Sequence, residues 1–506
     1  MTRKPLVPCI AILALAASLL AAQNPSAKPA PAGLTPGVIM PHESSAAHPD
    51  QTYALYLPSH YTAGRFWPII YAFDPDGRGT IAVERMRDAA ERYGYIVVGS
   101  NTSRNGSWKL EGDAAKAMWD DTHARFPIDD HLVYFAGFSG GARVAAVLAQ
   151  RCKCAAGVLL DGAGFGTEPP SADNKFAVFA AVGTYDFNYP ELTDLDEKLE
   201  QANVPHVLRH FDGPHEWAPA PVMDEALAWF RVIAMKQDRE ARDNSFLAQQ
   251  KDAAVARAQA LEKSGQPYEA WREYRQAAAT FAGLTDTASL QQTAASLAQQ
   301  PAVRDGAKRE KEEFQEQDEI TRGIYAGLIA LRSAKTGGSD PVPQPGQQAA
   351  LSRSDGATGI PGGNALSTSE STSDVFRETE QKIIDLRRRT EAEKHPDKLR
   401  VERRALAGVF IGAGEFGDQS LDAKDFHAAK QYFQLASDAE PDSADALQEL
   451  AKAMALDNDR KGSLKTLRRA KDASKDPAAF VAWLNQEPAF AKFHDEPQFR
   501  ALQGNP

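Results

Sequence analysis

From about residue 48 to 237, short apolar runs alternate with helical stretches, and no other feature of the chain limits its fold as tightly. "TYALYLP" alternates like a strand, and "WPIIYAF" (67–73) is a continuous apolar run ending in "DPDGRG". "ERMRDAAERYG" and "AKAMWDDTHARF" (115–126) read as helices, with the buried strand "YIVVGSN" (95–101) between them. "HLVYFAGFS" is a strand that leads into the small-residue helix "GARVAAVLAQRC". Three more strands follow, "AAGVLLDGAG", "FAVFAAVGTYD" and "HVLRHFDG", with the helix "ELTDLDEKLEQAN" (191–203) between the last two. Strands that are apolar throughout have no solvent face, so helices must cover both sides of their sheet. Strand–helix alternation makes the sheet mostly parallel. The predicted fold class over 48–237 is therefore α/β, a mostly parallel doubly wound sheet.

After Asp238 the strand signals vanish, and Ala, Gln, Glu, Lys and Arg dominate. Residues 239–335 and 375–506 read as helical. Between them, 336–374 is rich in Gly, Ser, Pro and Thr and has no aromatic residue, a composition that predicts a flexible insertion. Phe314, Ile320, Ile324, Leu328 and Leu331 stripe one flanking helix, and Phe376, Ile383 and Ile384 the other, so the two are expected to pair as an antiparallel hairpin. A repeat runs through this part: Ala429, Phe433 and Ala436 recur as Ser463, Leu467 and Ala470, 34 residues later. Gly265, Ala270, Tyr274 and Ala277 supply a third copy. The pattern resembles the tetratricopeptide repeat, whose helical hairpins bury their apolar faces by stacking. The resemblance implies an all-α region able to dock a protein partner.

A chain of 506 residues exceeds one ordinary core, which agrees with two or three domains. Its net charge of -11 gives no electrostatic reason to expect nucleic acid or an anionic membrane as partner. Arg3 and Lys4 precede an apolar run from Leu6 to Ala22 that is short and Ala-rich for a membrane span. Small residues at Ala21 and Ala22 complete the pattern of a secretory signal peptide over 1–22, with 23–47 as a linker. The expectation is a secreted or periplasmic protein without stable membrane insertion after cleavage. Beyond Cys9, only Cys152 and Cys154 remain, too few for a disulfide framework or for the four ligands of a structural zinc site. They read as two thiols at a helix end.

Chemistry concentrates at Gly137, Ser139 and Gly141, which spell G-x-S-x-G between a strand and a helix. Alone the motif is weak; a strand leading in and a helix leading out are the context that a nucleophile on a sharp turn requires. A serine hydroxyl also needs a base within reach, and that base needs a carboxylate to fix its tautomer. Asp186 in "TYDFNYP" and His215 in "PHEWAP" each follow a later strand, in the order serine, acid, base. Loops at such strand ends face ligand in open α/β sheets. Asp161 in "LLDGAG" is a rival for the acid. Asp212 reads as a turn former, and His206 and His210 lie in or beside a strand. His215-Glu216 does not extend to H-E-x-x-H, because Ala218 and Pro219 follow Trp217.

With these blocks, "GFSGGA", "GTYDFNY" and "GPHEW", the region from about 40 to 237 resembles exported esterases of the α/β-hydrolase superfamily. The feruloyl-esterase, polyhydroxyalkanoate-depolymerase and dienelactone-hydrolase-like groups are the most similar. The resemblance implies an α/β-hydrolase sheet with Ser139 as nucleophile, His215 as general base and Asp186 as its orienter, and no cofactor or metal. It implies an oxyanion hole made by the Gly140 N–H and a second N–H after "WPIIYAF". There the chain has "FDPDGRG" in place of a His-Gly pair, so Phe73 and Asp74 are both candidates. Arg104, Asn105, Trp108 and Trp217 are candidate substrate contacts, while Asp74, Asp76 and Arg78 are able to pair with each other. The expected substrate is a carboxylic ester, either a small molecule or one linked to polysaccharide. The alternatives are a docking scaffold with little activity and a serine peptidase.

Overall fold

The structure is a computed structural model that describes residues 33–106, 108–166, 170–171, 173–336 and 371–504. The signal-peptide expectation over 1–22 lies outside the described residues, as does most of the expected insertion.

Eight strands form one sheet: β1 (Ile39–Ser44), β2 (Thr52–Tyr56), β3 (Trp67–Phe73), β4 (Ile96–Ser100), β5 (Ile128–Phe138), β6 (Ala155–Asp161), β7 (Ala177–Gly183) and β8 (His206–Phe211). Their spatial order is β1-β2-β4-β3-β5-β6-β7-β8. β1 and β2 pair antiparallel, as do β2 and β4, and the other pairs are parallel. The intervening helices are α1 (Gly79–Tyr93), α2 (Trp108–Arg125), α3 (Gly140–Arg151), α4 (Tyr189–Gln201) and α5 (Ala220–Lys236). Alternation along each strand feeds two cores. Ile69, Tyr71 and Phe73 of β3 join α3 and α4 in one, while Ile70 and Ala72 join α1 and α5 in the other. Both faces are covered, as the uninterrupted apolar strands require.

The sheet begins earlier than the sequence indicated. β1 lies inside 23–47, which had read as a linker. It is a half-exposed edge strand with Pro41 and a register shift between Met40 and Glu43, so its apolar signal is faint. Cys152 and Cys154, read as free thiols, are joined by a disulfide at the end of α3.

The rest is all-α: α6 (Asn244–Lys263), α7 (Pro267–Phe281), α8 (Ala288–Ala298), α9 (Pro301–Thr336), α10 (Thr372–Ala392), α11 (Pro396–Asp422), α12 (Phe426–Ala439), α13 (Ala444–Leu456), α14 (Arg460–Ala473), α15 (Pro477–Gln486) and α16 (Pro497–Leu502). α9 and α10 lie against each other antiparallel, with Gly327 over Thr379 and Gly323 toward Lys382. The helical region also covers the free edge of the sheet: Gln276 Nε2 of α7 donates to Leu208 O of β8 at 3.2 Å. An edge strand left bare would invite pairing with another chain.

Candidate active site

The crossover from β3 runs outward to β4, and that from β5 runs the other way to β6. The two neighbouring strands therefore part their loops, which opens a crevice at their carboxyl ends. Ser139 stands at this point, between β5 and α3, with φ 52° and ψ -121°. A non-glycine residue in this sparsely populated region costs on the order of 1–3 kcal/mol, so the surroundings must hold it. Ser139 N donates to Asp161 O at 2.8 Å, and Ala142 and Arg143 N donate to Ser139 O. The first helical turn leaves the N–H groups of Gly140 and Gly141 at its open end. The flanking glycines are dictated by clearance. A Cβ at Gly137 would collide with Gly141 O, and one at Gly141 would collide with Phe73 O and sit 3.1 Å from Asp74 N.

His215 Nε2 lies 2.9 Å from Ser139 Oγ, and His215 Nδ1 lies 2.8 Å from Asp186 Oδ2. Asp186 is fully buried, and its other oxygen accepts from Asn188 N at 2.7 Å. Asn188 Nδ2 in turn donates to Gly162 O at 2.7 Å. The His215 ring sits between Phe138, at 4.7 Å, and Phe187, at 4.5 Å. Gly162 packs beneath all of this with φ +66°; a Cβ there would come within 3.2 Å of both Asp186 Oδ2 and His215 Cε1.

The rival acid is engaged elsewhere. Asp161 is fully buried and accepts from Ala218 N at 2.6 Å, so it fixes the loop just after His215. Burial raises its pKa well above the carboxylate range, which favours the neutral acid. His206 faces Asp196, and His210 faces Glu269 and Tyr189. Neither is placed at Ser139.

The remaining candidates divide by exposure. Asp74 turns a buried carboxylate inward, where it accepts from Asp76 N and Arg78 Nε, both at 2.9 Å, and from Trp217 Nε1 at 2.8 Å. Trp217 is only 3% exposed and 5.7 Å from the Phe138 ring. It is a strut behind His215, which corrects its reading as a substrate contact. Phe73 is the buried last residue of β3. Asn105, exposed, donates its N–H to Pro75 O at 2.8 Å and lays its side chain against Gly140, where a Cβ would collide with its amide. Arg104 is exposed, and Trp108 is 40% exposed at the start of α2.

Sequence reading missed the contribution of the helical region. Gln317 Nε2 of α9 donates to Phe187 O at 3.0 Å, and Arg404 Nε of α11 donates to Thr184 O at 2.7 Å. Both bonds reach the loop that carries Asp186. No local pattern marks either residue, because the partners stand 130 and 220 positions away.

Strand order, helices on both faces and the turn at Ser139 make this a sheet of the α/β-hydrolase type, followed by an all-α region. No protein-family profile matches the chain, and no curated protein matches it. Among solved structures it is similar to a ferulic acid esterase, with 17% identity, 39% of this chain and 97% of the other covered, and a TM-score of 0.33. It is also similar to the fluorophosphonate-binding serine hydrolase F of Staphylococcus aureus (16% identity, 39% and 98% covered, TM-score 0.30). A hyperthermophilic esterase of the archaeon Pyrobaculum calidifontis aligns at 15% identity over 39% of this chain and 86% of its own, with a TM-score of 0.32.

Proposed function

We propose that the chain is an exported serine hydrolase that cleaves a carboxylic ester through an acyl-enzyme. The observation that carries the reading is the pair of contacts at His215, 2.9 Å to Ser139 Oγ and 2.8 Å to Asp186 Oδ2. Ser139 Oγ attacks the acyl carbonyl while His215 Nε2 takes its proton. Asp186, on Nδ1, holds the ring's tautomer and stabilises the imidazolium that forms. His215 returns the proton to the departing alkoxide oxygen. It then removes a proton from water as the water attacks the acyl carbon, and passes that proton to Ser139 Oγ as the acyl–oxygen bond breaks, which releases the carboxylic acid and restores both residues.

The developing oxyanion is received by the Gly140 N–H, with the Asp74 N–H as second donor. Asp74 is preferred over Phe73 because its nitrogen stands beside Gly141 at the elbow. Its side chain is already committed to Arg78, Asp76 and Trp217, so only its backbone is offered to the substrate. A donor of this kind contributes roughly 3 kcal/mol to the transition state. Export rests on the N-terminal sequence pattern alone.

A fluorophosphonate probe tests the nucleophile. Wild-type protein is expected to be labelled at Ser139, and Ser139→Ala to be unlabelled and to lose p-nitrophenyl acetate turnover by roughly 10⁴-fold or more. Folded wild type that takes no label would defeat the proposal.

A further inference from the structure

We infer that the helical region belongs to the working site, with Gln317 and Arg404 as positioning residues that set the loop bearing Asp186. The inference rests on the Ser139–His215–Asp186 reading above. That loop, 184–188, joins β7 to α4, and two different parts of the molecule fix it. The sheet side holds its amides: Thr184 N donates to Phe211 O at 2.8 Å, and Tyr185 N donates to Gly213 O at 3.0 Å. The helical side holds its carbonyls, Thr184 O through Arg404 and Phe187 O through Gln317.

The side chains follow the same division. Asp186 and Asn188 turn inward to His215 and Gly162. Tyr185, Phe187 and, just beyond the loop, Tyr189 meet the helical region. The Arg403 guanidinium lies 5.1 Å from the Tyr185 ring centre, and that of Arg404 lies 3.8 Å from the Tyr189 ring centre. A Cβ on Gly408 of α11 would stand 3.2 Å from Phe187 Cβ, so that helix's backbone comes up to the loop. Phe187 in turn packs its ring against His215. A short chain of contacts therefore runs from α9 and α11, through Phe187 and Thr184, to the base and its orienter.

Both positioning residues are committed to this task. Arg404 is 1% exposed, with its charge paired to Glu313 at 3.3 Å. Gln317 is 3% exposed. Removing Gln317 leaves the buried Phe187 carbonyl without its donor, and removing Arg404 takes the side-chain donor from the half-buried Thr184 carbonyl; the loop can relieve either loss by shifting. A shift approaching 1 Å at a positioned catalytic group costs roughly 100-fold in rate. Asp186 would then hold the imidazolium less well while the ester pocket is left unaltered. The effect falls on kcat rather than KM.

The test uses the full chain with p-nitrophenyl acetate as substrate. Gln317→Met removes the donor at similar length and without a change of charge. Arg404→Lys keeps the charge and loses the Nε–H. Lys465→Ala, exposed on α14, is the control. Active sites are counted by fluorophosphonate titration. Each of the two variants is expected to lower kcat per labelled site about 10- to 100-fold, with KM within about twofold. The acidic limb of the kcat/KM profile should also move to lower pH, because a poorly held carboxylate stabilises imidazolium less. Unchanged kcat per site and an unmoved limb would overturn the inference. So would losses that only track the fraction of labelled molecules, which is what a purely structural role produces. If Arg404→Lys does not fold, Gln317→Met decides alone. Failure of the wild type to take the probe defeats the hydrolase reading itself, a distinct result.

Discussion

The sheet unit and the helical region are held together by different means. The sheet carries two continuous apolar layers, built from alternate residues of the same strands. The helical region carries several smaller clusters, such as that around Leu467, Phe480, Phe490 and Phe499 at its far end. At the seam where the two regions meet, an apolar cluster that joins Ala228, Val232 and Met235 of α5 to Leu247, Ala277 and Phe281 of the helical region is flanked by charge. Arg209 of β8 bridges Glu225 of α5 and Glu273 of α7, both at 2.5 Å; Arg275 of α7 pairs with Asp196 of α4 at 2.8 Å; Tyr189 Oη of α4 donates to Glu310 of α9 at 2.8 Å. A cavity of about 970 Å³ opens along the same seam, lined by Tyr189, His210, Arg272 and Arg404 among others. Apolar layers tolerate many equivalent packings, whereas paired buried charges demand one geometry. The seam therefore fixes how the helices sit on the acid loop more sharply than apolar contact alone would.

The largest expected effect tests the sheet unit by itself. Asp186→Ala should lower kcat by roughly 10³- to 10⁴-fold, as loss of the tautomer-fixing carboxylate does in this type of site. Asp161→Asn should change kcat by less than about threefold, because burial already favours the neutral acid and Asn keeps an acceptor for Ala218 N. Equal losses in steady-state kinetics would erase the distinction between the two acids.

An intermediate effect separates the regions. Leu467 is fully buried in the terminal cluster, far along the chain from Gln317 and Arg404. Leu467→Ala is expected to destabilise the helical region by about 2–5 kcal/mol while ester turnover at 25 °C stays within about twofold. Calorimetry beside a turnover assay checks this. A parallel collapse of turnover would mean that the two regions are one cooperative unit.

The smallest effect is a pH dependence within the sheet unit. Glu111 is 2% exposed, and burial raises its pKa from 4.5 to about 8. The folded state thus keeps a proton that the unfolded chain releases between those values, so this group's contribution to stability falls as pH rises through that window. Glu111→Gln removes the titration. The variant should gain roughly 1 kcal/mol or more relative to wild type on going from pH 5 to pH 8, about 2–4 °C in melting temperature. Parallel melting curves across that range would show that Glu111 does not titrate there.

Much of the site was legible because its signals are local. Gly137 and Gly141 mark places where backbones touch, and a Cβ at either would collide with neighbouring backbone. Asp186 follows a strand that is apolar from end to end and His215 follows one with a Val207, Leu208 and Phe211 framework, and parallel topology brings such strand ends to one edge. β1 was missed for the opposite reason, since a half-exposed edge strand with a proline carries little periodic signal. Trp217 stands two residues after His215 in sequence, but its indole turns to Asp74 and the protein interior.

The sequence by itself determined the doubly wound sheet, the change to an all-α region after 238, and the chain order of Ser139, Asp186 and His215 at strand ends. Those features follow from periodicity and from residues whose conformational demands act on their neighbours. The tertiary structure decided which carboxylate meets His215, that Asp74 turns its carboxylate to Trp217 and Arg78, and that Gln317 and Arg404 bond to the loop of Asp186. Those contacts join backbone and side chains far apart along the chain. A hydrogen bond of that kind leaves no periodicity for a sequence to display, because only the packing of whole elements brings its two ends together.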